Sequence, residues 1–362
     1  MKIVAGILEK MRPLFAEGGK LSRLHPAFDA ADNALFSATV KTERAPFGRD
    51  PLDVKRFMFM VIVALLPCFA ASVYFFGWRV LLMLLVSYMA GGAVEVLFAI
   101  VRKEEINEGF LVTGFIFPLI LPPGLPLWMV AVGMAFGTLV GKEVFGGTGR
   151  NLFNPALVGR CFLAFGYPSA MTGTWLSPGA GGWGQLFAPF SVGVPDGVTS
   201  ATPLVLAKGG TFVSTFDLFL GRIAGSAGET SALAILLGGL FLVLVGIANW
   251  RTVLGILASF VALGVLLHGV NPSAVNPVWF NLFSGGILFG AFFMATDPVT
   301  SPVTQSAKWA YGILIGVTSM LIRSFSGYVE GVMFAILLGN ICAPLMDEAV
   351  IRFRVRRIAR ER

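Results

Sequence analysis

The chain is poor in charge: only 13% of its 362 residues are charged, with two histidines and three cysteines. A soluble globular protein carries roughly 25% charged residues. So few charges cannot make a water-facing surface, which excludes a soluble enzyme, and the 56% apolar content excludes a disordered chain. The polar/apolar alternation of membrane strands is also missing, which excludes an outer-membrane barrel. Cys68, Cys161 and Cys342 are scattered in or beside apolar runs, without a CxxC pair. Neither a disulfide framework nor a self-contained zinc or iron–sulfur site is expected from them. His25 and His268 have no partner spacing, and His268 reads as an interfacial span end. The first fifty residues lack the short apolar core of a cleavable signal peptide, so the first transmembrane helix is expected to direct insertion.

What the chain has in abundance is long apolar runs, with a mean hydropathy of +0.80. A bilayer core of ~30 Å needs ~20 apolar residues as helix. Runs at 57–77, 79–101, 229–249 and 252–268 meet or approach that length. Shorter runs lie near 109–121, 126–141, 155–168, 278–295, 308–324 and 329–346. The expected fold is an all-α polytopic membrane protein of about ten segments, several half-length or broken. Basic residues orient it. Lys41, Arg44, Arg49, Lys55 and Arg56 precede the first run, Arg102 and Lys103 follow the second, and Arg251 precedes the run at 252. Arg352, Arg354, Arg356, Arg357, Arg360 and Arg362 close the chain. The division is therefore a cytoplasmic arm over 1–56, a transmembrane domain over 57–346 and a basic cytoplasmic tail over 347–362. Tyr167 to Gly221 holds a single basic residue before Gly221, Lys208, which puts a loop over 167–228 outside. The net charge of +7 thus reflects topology, with no nucleic acid implied.

Several motifs interrupt this pattern. Leu-Pro-Pro-Gly-Leu-Pro at 121–126 is a turn or helix break. Asn154-Pro155 is a helix start, with Asn as cap and proline at the first helical position; Asp297-Pro298 repeats the arrangement. Leu157–Cys161 (LVGRC) is loosely echoed by Leu337–Cys342 (LLGNIC). Two readings stand: a two-fold internal repeat whose half-helix ends face an embedded site, or small residues recurring for close packing. Gly91, Gly92 and Glu95 share one face of the second span. Packing accounts for the glycines but not for Glu95, a costly intramembrane carboxylate whose readings are functional or snorkelling near Arg102. Asp196–Leu204 (DGVTSATPL) taken alone is an ordinary turn.

Five unusual strings stand out: EGGK (Glu17–Lys20), VRKEEINEGF (Val101–Phe110), KEVFGGTGRNLFNPAL (Lys142–Leu157), FFMATDPV (Phe292–Val299) and KWAYGILIG (Lys308–Gly316). In these the chain resembles the NqrB/RnfD family, in which NqrB is a membrane component of the sodium-translocating NADH:quinone reductase and RnfD is its cousin in the Rnf complex. The resemblance runs from the amino-terminal arm to Asp347. It implies FMN joined by a phosphoester to Thr202 of the SAT triplet. The hydroxyl attacks the pyrophosphate of FAD and AMP leaves, on a separate flavin transferase. Thr199 is a second hydroxyl in the wrong place of the motif. It implies a non-covalent riboflavin near Asn151 and Asn154, although a helix cap and a turn account for these asparagines equally well. It implies a quinone site at Gly91 and Gly92, and sodium roles for Glu95, Asp297 and Asp347. Hard cations take oxygen ligands, which suits carboxylates; an interfacial charge is the other reading of Asp347.

The expected function is a bacterial inner-membrane, multi-pass component of a redox-driven sodium pump. It would work with NqrA, NqrC, NqrD, NqrE and NqrF, passing electrons from the outer FMN to riboflavin and on to quinone. No GxGxxG after a strand and no P-loop is present, so NADH oxidation falls to another polypeptide. The first alternative is RnfD of a ferredoxin:NAD oxidoreductase. The arm and EGGK favour the quinone reductase. The short Gly77-Trp78 connection, where many NqrB proteins carry an insert, and the wording TSATP in place of SGAT favour Rnf. The second alternative is a secondary transporter without redox groups.

Overall fold

The computed structural model describes residues 54–103, 109–176, 178, 202–208, 210–272, 275–326, 328 and 330–361. The expectations for the amino-terminal arm, EGGK, His25, Thr199 and most of the loop before Thr202 lie outside the described residues.

The described residues are predominantly helical, with no extended strand element among them. Two long helices, α1 (Val54–Phe76) and α2 (Arg79–Arg102), form a hairpin closed by Gly77 and Trp78. Gly77 takes φ +76°, a left-handed conformation that lets the chain reverse in two residues. Next come α3 (Gly109–Leu119), α4 (Leu127–Gly141), a 3-10 turn at Glu143–Phe145 and α5 (Pro155–Gly166). Short helices α6 (Pro168–Gly173), α7 (Pro203–Lys208) and α8 (Thr215–Leu220) lead to α9 (Ala232–Leu244) and α10 (Trp250–Val270). A broken stretch follows: α11 (Val278–Phe283), α12 (Ile287–Phe289) and a π-helical turn at Gly290–Met294. The long helices α13 (Gln305–Phe325) and α14 (Val332–Glu361) end the bundle.

Among the described residues five helices are long and apolar enough to cross a bilayer, while α3, α5 and α9 are apolar but shorter. Length and composition alone thus mark five crossings among the described residues. The breaks fall where the sequence puts them. The Leu121–Pro126 turn separates α3 from α4, and Arg79 grips it, donating to the carbonyls of Pro123 (2.8 Å), Gly124 (3.1 Å) and Leu125 (3.0 Å). Asn154 caps α5 by accepting from the amide of Ala156 at 3.1 Å, with Pro155 at the first helical position.

The bundle is apolar outside, and its largely apolar core also holds buried charges. On α2, Leu85, Met89, Leu97 and Val101 are 55–71% exposed, whereas Glu95 is 6% exposed. Water would reverse that distribution; lipid does not, and it identifies the solvent as a bilayer. Helices meet through small residues. A Cβ on Gly137 of α4 would lie 3.0 Å from Gly159 Cα of α5, and one on Gly312 of α13 would lie 3.1 Å from Gly255 Cα of α10. Of the glycines in the LVGRC/LLGNIC echo, Gly159 packs on the Gly133 backbone of α4, and Gly339 of α14 packs on the Tyr311 and Ile315 side chains of α13.

Candidate functional site

Two cavities lie at opposite ends of the bundle, and they gather most of the residues singled out from the sequence.

The first sits where α1 begins. Its ≈ 70 Å³ are lined by Asn151, Asn154, Asp297 and Lys142, among apolar side chains such as Met58 and Phe293. Local geometry explains the first three. Proline at position 155 leaves the start of α5 to Asn154; Asn151 donates to Phe153 O at 3.1 Å. Asp297 follows the π-helical turn and accepts from Thr300 Oγ1 (3.0 Å) and the Val299 amide (3.3 Å). Desolvation by surrounding protein pushes the Asp297 carboxyl above the usual carboxylate range, against the lowering effect of those hydrogen bonds.

Glu95 does not snorkel. It is buried and ion-paired with Lys142, itself 3% exposed, which reaches in from the end of α4. One residue on, Glu143 pairs with Arg102 of α2 at 2.9 Å, and Arg102 also donates to the Glu143 carbonyl at 2.5 Å. The adjacent Lys142 and Glu143 thus clamp the end of α2 with opposite charges. Such pairs offset part of the desolvation cost that each charge would meet alone. Gly91 belongs to the same buried stripe of α2 as Glu95, with Gly92 at its margin. Added Cβ atoms would lie 2.6 Å from Met134 Cε at Gly91 and 3.2 Å from Phe110 Cζ at Gly92, so close packing accounts for both glycines. Asp347 stands apart from this cavity. Its carboxylate accepts from the amides of Val303 (2.7 Å) and Thr304 (2.8 Å) and from Thr304 Oγ1 (2.6 Å), supplying α13 with its amino-terminal cap.

The second cavity, ≈ 320 Å³, lies at the other end, beside α7 and the start of α14. Thr202 lines it. Its carbonyl accepts from Val205 and Leu206, so it occupies the capping position of α7, yet its hydroxyl caps nothing and is buried without a partner among the described residues. Beneath it sits a buried charge network that sequence reasoning missed. Arg160 of α5 donates to Glu229 Oε1 at 2.9 Å, to Glu330 Oε2 at 2.6 Å and to Ser226 Oγ at 3.4 Å. Glu330 Oε1 accepts the amide of Gly286 at 2.9 Å. Arg323 of α13 donates to the carbonyls of Asn281 and Ser284 and stacks over Phe260. The sequence signal was there in part: Arg160 and Arg323 are basic residues inside apolar runs, which demands partners.

A small-molecule cavity spans about 300–1,000 Å³. The second cavity reaches that range and presents an unsatisfied hydroxyl, so it fits a bound organic group joined at Thr202. The first is well below it and fits ions and waters.

These features define a polytopic helical membrane protein with buried charges and a cavity towards each end of the bundle. Comparison with known proteins specifies the class. The chain belongs to the NQR2, RnfD, RnfE family, whose pattern matches residues 41–356. It is 39% identical, over 415 aligned positions covering 99% of both chains, to NqrB of the Na(+)-translocating NADH-quinone reductase of Azotobacter vinelandii. It is 37% identical to NqrB of Klebsiella pneumoniae, over 97% of this chain and 98% of that one. The 415 aligned positions exceed the 362 residues of this chain, so the Azotobacter relative carries segments that this chain lacks.

Proposed function

We propose that the chain is the NqrB component of a redox-driven, sodium-translocating NADH:quinone reductase, and that Thr202 carries FMN through a phosphoester. The observation that carries the reading is the match to NqrB proteins along nearly the whole of both chains. The unpartnered hydroxyl of Thr202, a residue that lines a cavity of ligand size, supports the attachment site. A flavin held there supplies one- and two-electron transfer. This chain's own part is to place the tether, exclude water with its apolar walls and keep compensated charge beneath the cavity. Asn151 and Asn154 are the residues we assign to riboflavin. The ≈ 70 Å³ beside them does not admit a three-ring flavin with its walls as they stand. Glu95 and Asp297 are assigned to the sodium path, with Lys142 as a tethered cation that sodium would displace from Glu95. Asp347 belongs to the same path as the residue that fixes the start of α13, and Gly91 and Gly92 mark the quinone side of α2. Ten crossings built as two five-segment repeats fit the LVGRC/LLGNIC echo. Both termini are assigned to the cytoplasm, and the remaining Nqr components and a flavin transferase complete the system.

The test is mass spectrometry of the peptide spanning 196–204 from protein made with its transferase and partner subunits. The added mass of FMN is expected there in the wild type and in Thr199→Val, and its absence in Thr202→Val. A wild-type peptide without added mass overturns the flavin assignment. The two-residue Gly77-Trp78 turn favours RnfD as the second reading, and assay of the assembled complex separates the two. Sodium-dependent quinone reduction from NADH supports the first; ferredoxin oxidation supports the second.

A further inference from the structure

Three polar atoms on residues that line the larger cavity are buried and have no partner among the described residues: Thr202 Oγ1, Glu229 Oε2 and Thr230 Oγ1. Their neighbours are already engaged. Both oxygens of Glu330 are used, one by Arg160 and one by the Gly286 amide, and both terminal nitrogens of Arg160 are used by Glu229, Glu330 and Ser226. The Ser226 hydroxyl is also within hydrogen-bonding reach of the Glu229 carboxylate. Glu229 and Thr230 are 4% and 2% exposed. Leaving buried polar atoms unpaired is costly, and native proteins seldom do so without a ligand or ordered water. The rest of the wall is largely apolar and aromatic, with Met171, Trp175, Met333 and Phe334.

The leftover atoms describe a ligand edge. A carboxylate oxygen can only accept, so it calls for an N–H; the adjacent hydroxyl can donate, so it calls for a carbonyl. An N–H beside a carbonyl, on a flat apolar body, is the imide edge of an aromatic ring system. We propose that Glu229 and Thr230 form the binding site for the imide edge of the isoalloxazine ring whose phosphate is joined to Thr202. Glu229 Oε2 accepts from the ring N–H and Thr230 Oγ1 donates to the neighbouring carbonyl. Arg160 holds Glu229 in place through its other oxygen. This assignment rests on the reading that Thr202 carries FMN, and it adds the residues that fix the ring and tune its potential. Reduction adds negative charge to the ring, which a carboxylate in contact opposes, so Glu229 keeps the flavin harder to reduce.

The experiment uses the full complex made with its transferase. Covalent flavin is scored on a denaturing gel, and the folded protein is titrated potentiometrically and examined by infrared difference spectroscopy. In Glu229→Gln the covalent flavin is retained and its midpoint potential rises. In Thr230→Val, which keeps the Arg160–Glu229 pair intact and so guards against misfolding, a flavin carbonyl stretch shifts to higher frequency. Flavin present on Thr202 with potential and carbonyl bands unchanged in both variants overturns the imide site while leaving the attachment intact. Wild-type protein with no flavin on Thr202 overturns both.

Discussion

The two ends of the bundle solve the problem of polarity inside a membrane in opposite ways. At the end where α1 begins, acceptors are spent: Glu95 on Lys142, Glu143 on Arg102, Asp347 on α13, and Asn154 on α5. The cavity there is small. At the other end the charges are also paired, but Glu229, Thr230 and Thr202, which line a cavity more than four times larger, each keep an oxygen without a partner among the described residues. A small space with satisfied walls suits an ion that exchanges with a resident cation. A large one with unsatisfied atoms suits a ligand that stays.

The strongest challenge to this contrast is Thr202→Val, which is expected to abolish covalent flavin altogether, read as in-gel fluorescence. Next is Lys142→Met, which strands Glu95 as an uncompensated buried charge and is expected to cost ~3–5 kcal/mol, read by thermal unfolding in detergent. Pairing it with Glu95→Gln is expected to restore most of that loss; no recovery would mean that the two side chains are not coupled. Gly312→Ala places a methyl 2.7 Å from the Thr252 carbonyl and is expected to cost ~1–3 kcal/mol by prising α13 from α10. The smallest effect belongs to Asp347→Ala. Loss of its capping bonds is expected to cost about 1 kcal/mol, and the apparent sodium affinity of the assembled pump is expected to weaken if Asp347 also serves the ion path. Unchanged affinity with lowered stability would confine it to capping.

Local features were legible in the sequence and distant ones were not. The Asn154-Pro155 start, the Leu121–Pro126 break and the two-residue turn at Gly77-Trp78 each depend on residues a few positions apart, where backbone rules act directly. Glu95 was recognisable as anomalous, but its partner lies 47 residues on, and nothing in the spacing points to Lys142. The pairings of the network under Thr202 were invisible for the same reason, since they join residues from well-separated stretches of the chain. Thr202 taken alone reads as part of an ordinary turn; only the fold reveals that its hydroxyl is left over.

The Arg160 network also bears on how the protein is made. Arg160 belongs to α5, whereas Glu229 comes 69 residues later and Glu330 170 residues later. At the ordinary pace of synthesis the second carboxylate follows on the order of ten to thirty seconds after the arginine. Until Glu229 is made the nascent chain carries in α5 a guanidinium with neither of its two carboxylates, a charge that lipid disfavours, so α5 is expected to settle into the bilayer only after the later segments supply them.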